Sequence, residues 1–339
     1  TRMSLVPPPS SLAAPPLPRF AQIEPVGHCN LACRMCTVKH RGDAVAELPF
    51  ERFVAWLDEM PQLEHLHLQG LGEPMLHPRF FDMVQAAAAR GIRVGANTNL
   101  TLLTPERARR CVDGGLAELS VSLDGASAPV YEAVRQGASF AKVLRNLDRL
   151  MAACAAQPGR LAVRGVMVLM RSNLHELPAL VRLLHAHGVG ELLVQRLSSD
   201  LEHAGLPPRY IPIRDYVCDA ELAPAELPRA AERFAEAQQL AGEFGFVLHL
   251  PRLAPSLGEA GVRGCSWPTE QLYLTAAGHM LPCCMVASAD RADFGRVADR
   301  PGGLAATWGG AVAQSFRAAL EGPEPPAVCR SCALYEGRF

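Results

Sequence analysis

The chain lacks most of the features that announce a class of protein. Its 339 residues carry a net charge of −1 and its basic residues are scattered, so no field draws a polyanion and nucleic acid is not expected as a partner. No apolar run is long enough to cross a bilayer, and no apolar h-region marks the N-terminus. The stretch from Val6 to Pro18 is instead rich in Pro, Ser and Ala, a composition of disorder. A cytoplasmic chain with no membrane partner is the expectation. Aromatic residues make up 6% of a chain that is 49% hydrophobic, which predicts a core of Ala, Leu and Val. There is no P-loop and no nucleophile elbow, and Gly302-Gly303 and Gly309-Gly310 read as turns. Histidines 65, 67, 77, 185, 187 and 249 share no metal-binding spacing. His65 and His67 alternate with leucines and read as solvent-facing or satisfied polar groups.

What the chain has in quantity is cysteine, eleven in all. Seven fall into two spaced groups, while Cys111, Cys154, Cys218 and Cys284 stand apart. Around the first group the sequence alternates strand and helix. Arg19 to Glu24, His65 to Gln69, Arg93 to Thr98, Glu118 to Asp124, Leu161 to Met170 and Glu191 to Leu197 are strand-like. Phe50 to Met60, Arg79 to Arg90, the segment opened by Thr104-Pro105, Phe140 to Ala153 and Leu177 to His187 are helical, with Gly91 as a C-cap. Six strand–helix units of roughly 30 residues argue for parallel βαβ units and an open, partial barrel. In parallel barrels chemistry gathers in loops after the strand C-termini. The first cysteines, the turn Gly70-Leu71-Gly72-Glu73-Pro74, Asn97, Asn99, Ser122, Asp124 and Gln195 all fall at or near such ends.

The first group, Cys29, Cys33 and Cys36, has C-x-x-x-C-x-x-C spacing on one short loop. Three sulfurs cannot close a four-thiolate site. The simplest chemistry is a cubane iron–sulfur cluster with one iron left open. A zinc loop completed by His28 or His40, or a dithiol of Cys33 and Cys36, also fits the spacing. The run resembles that of radical S-adenosylmethionine (SAM) enzymes, and the resemblance spans roughly Arg19 to Ser199. It implies a partial (β/α)6 radical SAM barrel, with SAM chelating the open iron of a 4Fe–4S cluster. Gly70, Gly72 and Glu73 match the family's Gly-Gly-Glu-Pro turn, which holds the SAM amino group. Asn97, Asn99, Ser122 and Asp124 match its polar contacts to SAM, with Gln195 on the same rim. Arg135 is placed to pair with the SAM carboxylate. Met35 stands where the family usually has an aromatic residue against adenine, and methionine fills similar apolar space.

The second group is Cys265, Cys283, Cys329 and Cys332. Gln271 to Leu281 reads as a hairpin, Trp308 to Leu320 as a helix. Twelve residues separate Cys265 from Gly278, and Gly278-x-x-x-x-Cys283 precedes a terminal C-x-x-C. This resembles the SPASM/twitch extension of radical SAM enzymes and implies one auxiliary 4Fe–4S cluster in a small α+β domain. A four-cysteine zinc ribbon has similar spacing. Cys284 is a packed small hydrophobe, a second-choice ligand, or a hydrogen-atom donor. The expected domains are a tail (1–18), the barrel (19–199), a Pro-punctuated connector with one helix, Arg229 to Gly242, folding over the barrel mouth (200–262), and the auxiliary domain (263–339). The expected reaction is reductive cleavage of SAM to a 5′-deoxyadenosyl radical. That radical then takes hydrogen from a small molecule such as a sugar or aminocyclitol, giving oxidation or epimerisation, with a flavodoxin or ferredoxin as reductant. A short N-terminal tail favours this over maturation of a ribosomally made peptide. A non-catalytic iron–sulfur or zinc protein is the alternative of another class.

Overall fold

A computed structural model describes residues 15–42, 44–197, 200–203, 205–254 and 264–337. Most of the predicted tail (1–14) and parts of the predicted connector (204 and 255–262) lie outside the described residues. Seven strands run parallel in chain order: β1 (Phe20–Ile23), β2 (His65–Leu68), β3 (Arg93–Thr98), β4 (Leu116–Ser122), β5 (Ala162–Leu169), β6 (Glu191–Arg196) and β7 (Val247–His249). Between them lie α1 (Phe50–Asp58), α2 (Phe80–Ala88), α3 (Pro105–Asp113), α4 (Ala128–Val134), α5 (Phe140–Ala156), α6 (Leu177–Ala186), α7 (Ile211–Ala220) and α8 (Leu227–Phe244). Local sequence explains their limits. The Thr104 hydroxyl accepts from the Arg107 N–H to start α3, and Gly245 ends α8 at φ +61°. On α5, Phe140, Val143, Leu147 and Leu150 recur at helical spacing and are buried. Strand side chains alternate: Leu66, Leu68, Val94, Ala96, Leu119 and Val121 join the buried core. Gln22, His67, Asn97, Ser120 and Arg164 line the barrel interior instead.

The six predicted strands are all present. The connector holds α7 as well as the helix expected from Arg229 to Gly242, which is α8; Pro212 and Pro228 sit in the first turns of α7 and α8, where a missing N–H costs nothing. Tyr210, Ile213 and Val217 pack with Val134, Met170 and Leu197, and Met35 packs against that cluster. The Arg34 guanidinium lies over the Tyr216 ring at 4.5 Å, so α7 adjoins the first cysteine loop.

Three further strands, β8 (Gln271–Leu274), β9 (His279–Leu281) and β10 (Gly295–Arg296), follow the short α9 (Trp267–Glu270). β8 pairs parallel with β1, Phe20 opposite Gln271 through Ile23 opposite Leu274, and β9 and β10 continue antiparallel. The result is one ten-stranded sheet. The helix predicted from Trp308 to Leu320 is two, α10 (Gly303–Trp308) and α11 (Ala311–Glu321), because the chain turns at Gly309-Gly310. Among the described residues no helix is long and apolar enough to cross a membrane.

Candidate active site

The end of β1 is held by an ion pair with no access to water. Glu24 and Arg41, with side chains 0% and 2% exposed, meet at 3.0 Å. The Glu24 carboxylate also accepts from the Leu71 N–H (3.0 Å) and the Ala276 N–H (3.2 Å), and Arg41 donates to the Gly27 carbonyl (3.2 Å). One carboxylate thus joins the cysteine loop, the turn after β2 and the C-terminal hairpin. Sequence reasoning missed it, since nothing local separates Glu24 from any strand-end acid. The glycines of the turn answer to close approach. A Cβ on Gly72 would lie 1.9 Å from the Val26 carbonyl oxygen, and one on Gly70 2.3 Å from the Glu24 Cγ.

Cys29, Cys33 and Cys36 stand on the wall of a cleft of about 300 Å³, facing Gly70, Gly72 and Glu73. The loop is pinned from α4 and the turn after it, with Arg34 N–H donating to the Val134 carbonyl (3.0 Å) and Ala32 N–H to that of Gln136 (2.9 Å). Burial pushes the Cys29 and Cys33 thiols up, and that of Cys36 up to about 12. Two polar side chains face the sulfurs, Asn99 Nδ2 at 3.7 Å from Cys29 and Arg135 Nη1 at 3.9 Å from Cys33.

Met35, Asn97, Asn99, Ser122 and Arg135 line this cleft as the sequence suggests. Asp124 does not. Its carboxylate is fully buried behind Arg135, accepting from Arg135 Nε (2.7 Å) and the Val168 N–H (2.7 Å), so it orients the guanidinium rather than meeting a ligand. With Nε thus engaged, Arg135 has only its terminal nitrogens for a carboxylate, not the side-on fork. Glu73 is also inwardly committed, accepting from Thr98 Oγ1 (2.8 Å), the Asn99 N–H (2.8 Å) and the Met75 N–H (3.2 Å). It ties the turn to the end of β3. Gln195 lines an adjoining cavity, not the cleft.

That cavity, of about 520 Å³, shares Met35, Gln69, Gly70, Leu71, Asn97 and Val168 with the cleft. Cys284 is on its wall. Cys265, Cys283, Cys329 and Cys332 surround a separate enclosed space, with Asp200 beside them. Neighbouring side chains diverge, so Cys283 and Cys284 face different spaces. Met285 and Leu334 line both, so a single layer of side chains divides them. Arg291, itself buried, donates to Asp200 (2.8 Å) and to the Val286 carbonyl (3.2 Å), which fixes the loop after Cys283-Cys284.

Each group has the donors an iron–sulfur cluster takes, three thiols on the cleft wall and four around the enclosed space. Among the described residues no three His, Cys, Asp or Glu side chains converge closely enough to hold one metal ion.

Two family models match the chain, the radical SAM superfamily over residues 23–184 and an iron–sulfur cluster-binding domain, SPASM, over residues 265–333. The chain belongs to the radical SAM superfamily. It carries the SPASM domain at its C-terminal end and, as an enzyme of that class, uses SAM and 4Fe–4S clusters. The mycofactocin maturase MftC of Mycobacterium ulcerans is 29% identical over 315 residues, 91% of this chain and 78% of that protein. The tungsten-containing aldehyde ferredoxin oxidoreductase cofactor-modifying protein of Pyrococcus furiosus is 30% identical over 190 residues, 53% of this chain. The match takes in only 51%, about half, of that relative's length. Streptococcus suis SuiB, solved bound to the precursor peptide SuiA, superimposes with a TM-score of 0.68 at 14% identity, covering 95% of this chain and 71% of that one. At that identity the likeness is one of fold.

Proposed function

We propose that the chain is a peptide maturase, taking a hydrogen atom from a residue of a ribosomally made peptide presented at the barrel mouth. The observation that carries this is the likeness to MftC, which runs through barrel and cysteine-bearing tail alike. The sequence alone favours a sugar or aminocyclitol, but a short stretch before the barrel does not exclude a peptide, because a leader-binding module can belong to another chain. Oxidation or epimerisation of a small molecule is the second reading, favoured by a cavity of about 520 Å³, a size that encloses a small ligand.

In this proposal Cys29, Cys33 and Cys36 hold the SAM-binding cluster, and the barrel (19–199) ends where the connector (200–262) begins. Cys265, Cys283, Cys329 and Cys332 hold the auxiliary cluster in the domain 263–339. When bound, the first cluster and SAM supply the 5′-deoxyadenosyl radical. The residues do the rest. The Gly70–Glu73 backbone receives the SAM amino group, Asn97, Asn99 and Ser122 meet its polar atoms, and Met35 packs on adenine. Arg135, held by Asp124, faces the carboxylate. α7 shields the cleft from water. A flavodoxin or ferredoxin is the proposed reductant. All eleven cysteines are free, which suits a reducing cytoplasm.

The test is anaerobic reconstitution with iron and sulfide, then SAM, dithionite and synthetic peptides encoded by short reading frames beside the gene. The expected result is 5′-deoxyadenosine formed together with a mass change in one peptide. Deoxyadenosine with every peptide unchanged, and its formation stimulated by a sugar or aminocyclitol, refutes the peptide reading in favour of the second.

A further inference from the structure

We propose that His67 is the proton acceptor that makes the reaction in the larger cavity a two-electron oxidation. The inference rests on the proposed function, with the peptide's reacting residue placed in that cavity, and adds a residue that reading does not use. Among the described residues, no Asp or Glu lines the cavity. The one carboxylate of the adjoining cleft, Glu73, already accepts from three protein donors. His67 on β2 opens into the cavity two residues before Gln69, which lines cavity and cleft alike.

Its ring is oriented for the task. Nε2 donates to Asn97 Oδ1 at 3.1 Å, so the lone pair of the neutral imidazole is on Nδ1, which has no partner among the described residues. Burial holds the imidazole below its ordinary value, a tendency only partly offset by the Asn97 hydrogen bond, so the ring is neutral near pH 7. The charges that face it are of opposite sign, Glu118 from β4 and Arg164 from β5. Arg164 is itself fixed by the Ser120 hydroxyl at 2.8 Å and lies 3.8 Å from Glu191.

The chemistry balances with these parts. Loss of a hydrogen atom from a carbon bearing N–H or O–H leaves a carbon radical. Forming the C=N or C=O bond from it releases one proton and one electron. The proton goes from the heteroatom to His67 Nδ1. The electron goes to a one-electron acceptor, an oxidised iron–sulfur cluster of the kind the SPASM domain binds, across the layer formed by Met285 and Leu334. Substrate loses two hydrogens in all.

Diethyl pyrocarbonate, which acylates unprotonated imidazole, tests this on the reconstituted holoenzyme without any substrate. Peptide mapping is expected to find His67 modified, with the rate half-maximal below pH 6.5. His77, whose two ring nitrogens are bonded to the Leu48 carbonyl and the Arg79 N–H, is the protected control, and exposed His65 the reactive one. An unmodified His67 beside a fully modified His65, or a rate half-maximal above pH 6.5, overturns the proposal. The variant His67→Gln separates hydrogen abstraction from formation of the oxidised product. With the peptide that passes the test above, it should keep hydrogen abstraction while losing ~10-fold or more of the 2-Da-lighter product per deoxyadenosine. An unchanged ratio overturns it. A parent enzyme that modifies no peptide sinks the substrate reading instead, and the labelling then decides His67.

Discussion

Replacing Glu24 by Gln should weaken the whole chain as well as the site. The substitution keeps the size of the side chain and removes its charge. In its place Arg41, 2% exposed, would face an amide. The new NH2 group also points at donors, since both carboxylate oxygens receive hydrogen bonds, from Arg41, Leu71 and Ala276. Breaking a buried pair from one side costs about 3–5 kcal/mol, against a total stability of ~5–15 kcal/mol. At roughly 2–4 °C per kcal/mol for a large domain, the midpoint should fall by ~10 °C. Thermal unfolding of the cluster-free chain under reductant, followed by circular dichroism, measures it. Arg41→Ala should cost a similar amount, and the double variant less than the two together, as expected of direct partners. A Glu24→Gln midpoint within 2 °C of the parent, or strict additivity, would refute the reasoning.

Gly72→Ala forces a Cβ to within 1.9 Å of the Val26 carbonyl oxygen, so deoxyadenosine formation should drop at least ~10-fold; activity within twofold of the parent would show that the turn moves freely. Cys29→Ala should lose roughly four irons per chain on reconstitution and all SAM cleavage, Cys332→Ala a similar number of irons with SAM cleavage retained, and Cys284→Ala none. Equal iron in the first two variants and the parent would sink both cluster assignments. Because His67 is held below its ordinary value by burial, the unfolded chain takes up that proton first as pH falls through 6.5. Stability is therefore lost below that pH, and the drop in midpoint between pH 7.5 and 5.5 should be smaller in His67→Gln than in the parent. An equal drop contradicts the assignment.

The parts of the site that a reader of the sequence can find are those set by short-range spacing. Three thiols within eight residues and a Gly-x-Gly-Glu-Pro turn leave the same trace wherever the chain goes next, and strand periodicity then puts them on one rim. What stays hidden depends on which neighbour a side chain meets. Asp124 and Ser122 are both polar groups at the end of β4, yet one turns to Arg135 and the other to the cleft. His67 reads as an ordinary polar residue of an alternating strand until the barrel closes around it. β7, of three residues, is too short to show a pattern. Pro212 and Pro228 look like breakers because position within a helix, not composition, decides their effect.

The least legible feature was that barrel and tail share a sheet, and it carries the last prediction. Read along the chain, the auxiliary domain is a separate unit after a connector. In space β8 covers the edge of β1 along its whole length, from Phe20 to Ile23, and the turn after β8 delivers the Ala276 N–H to Glu24. Chain ending at residue 262 would therefore leave β1 as an open parallel edge, with its N–H and C=O groups unpaired beside the cysteine loop, and such edges template aggregation. Residues 1–262 expressed alone should be insoluble or polydisperse by size-exclusion chromatography, while the full chain carrying Cys265→Ala and Cys332→Ala, which keeps β8 without its cluster ligands, should stay monodisperse. A soluble fragment with the ellipticity expected of a complete barrel would show that β8 is an accessory. The opposite result would mean that the tail completes the barrel first and houses its cysteines second.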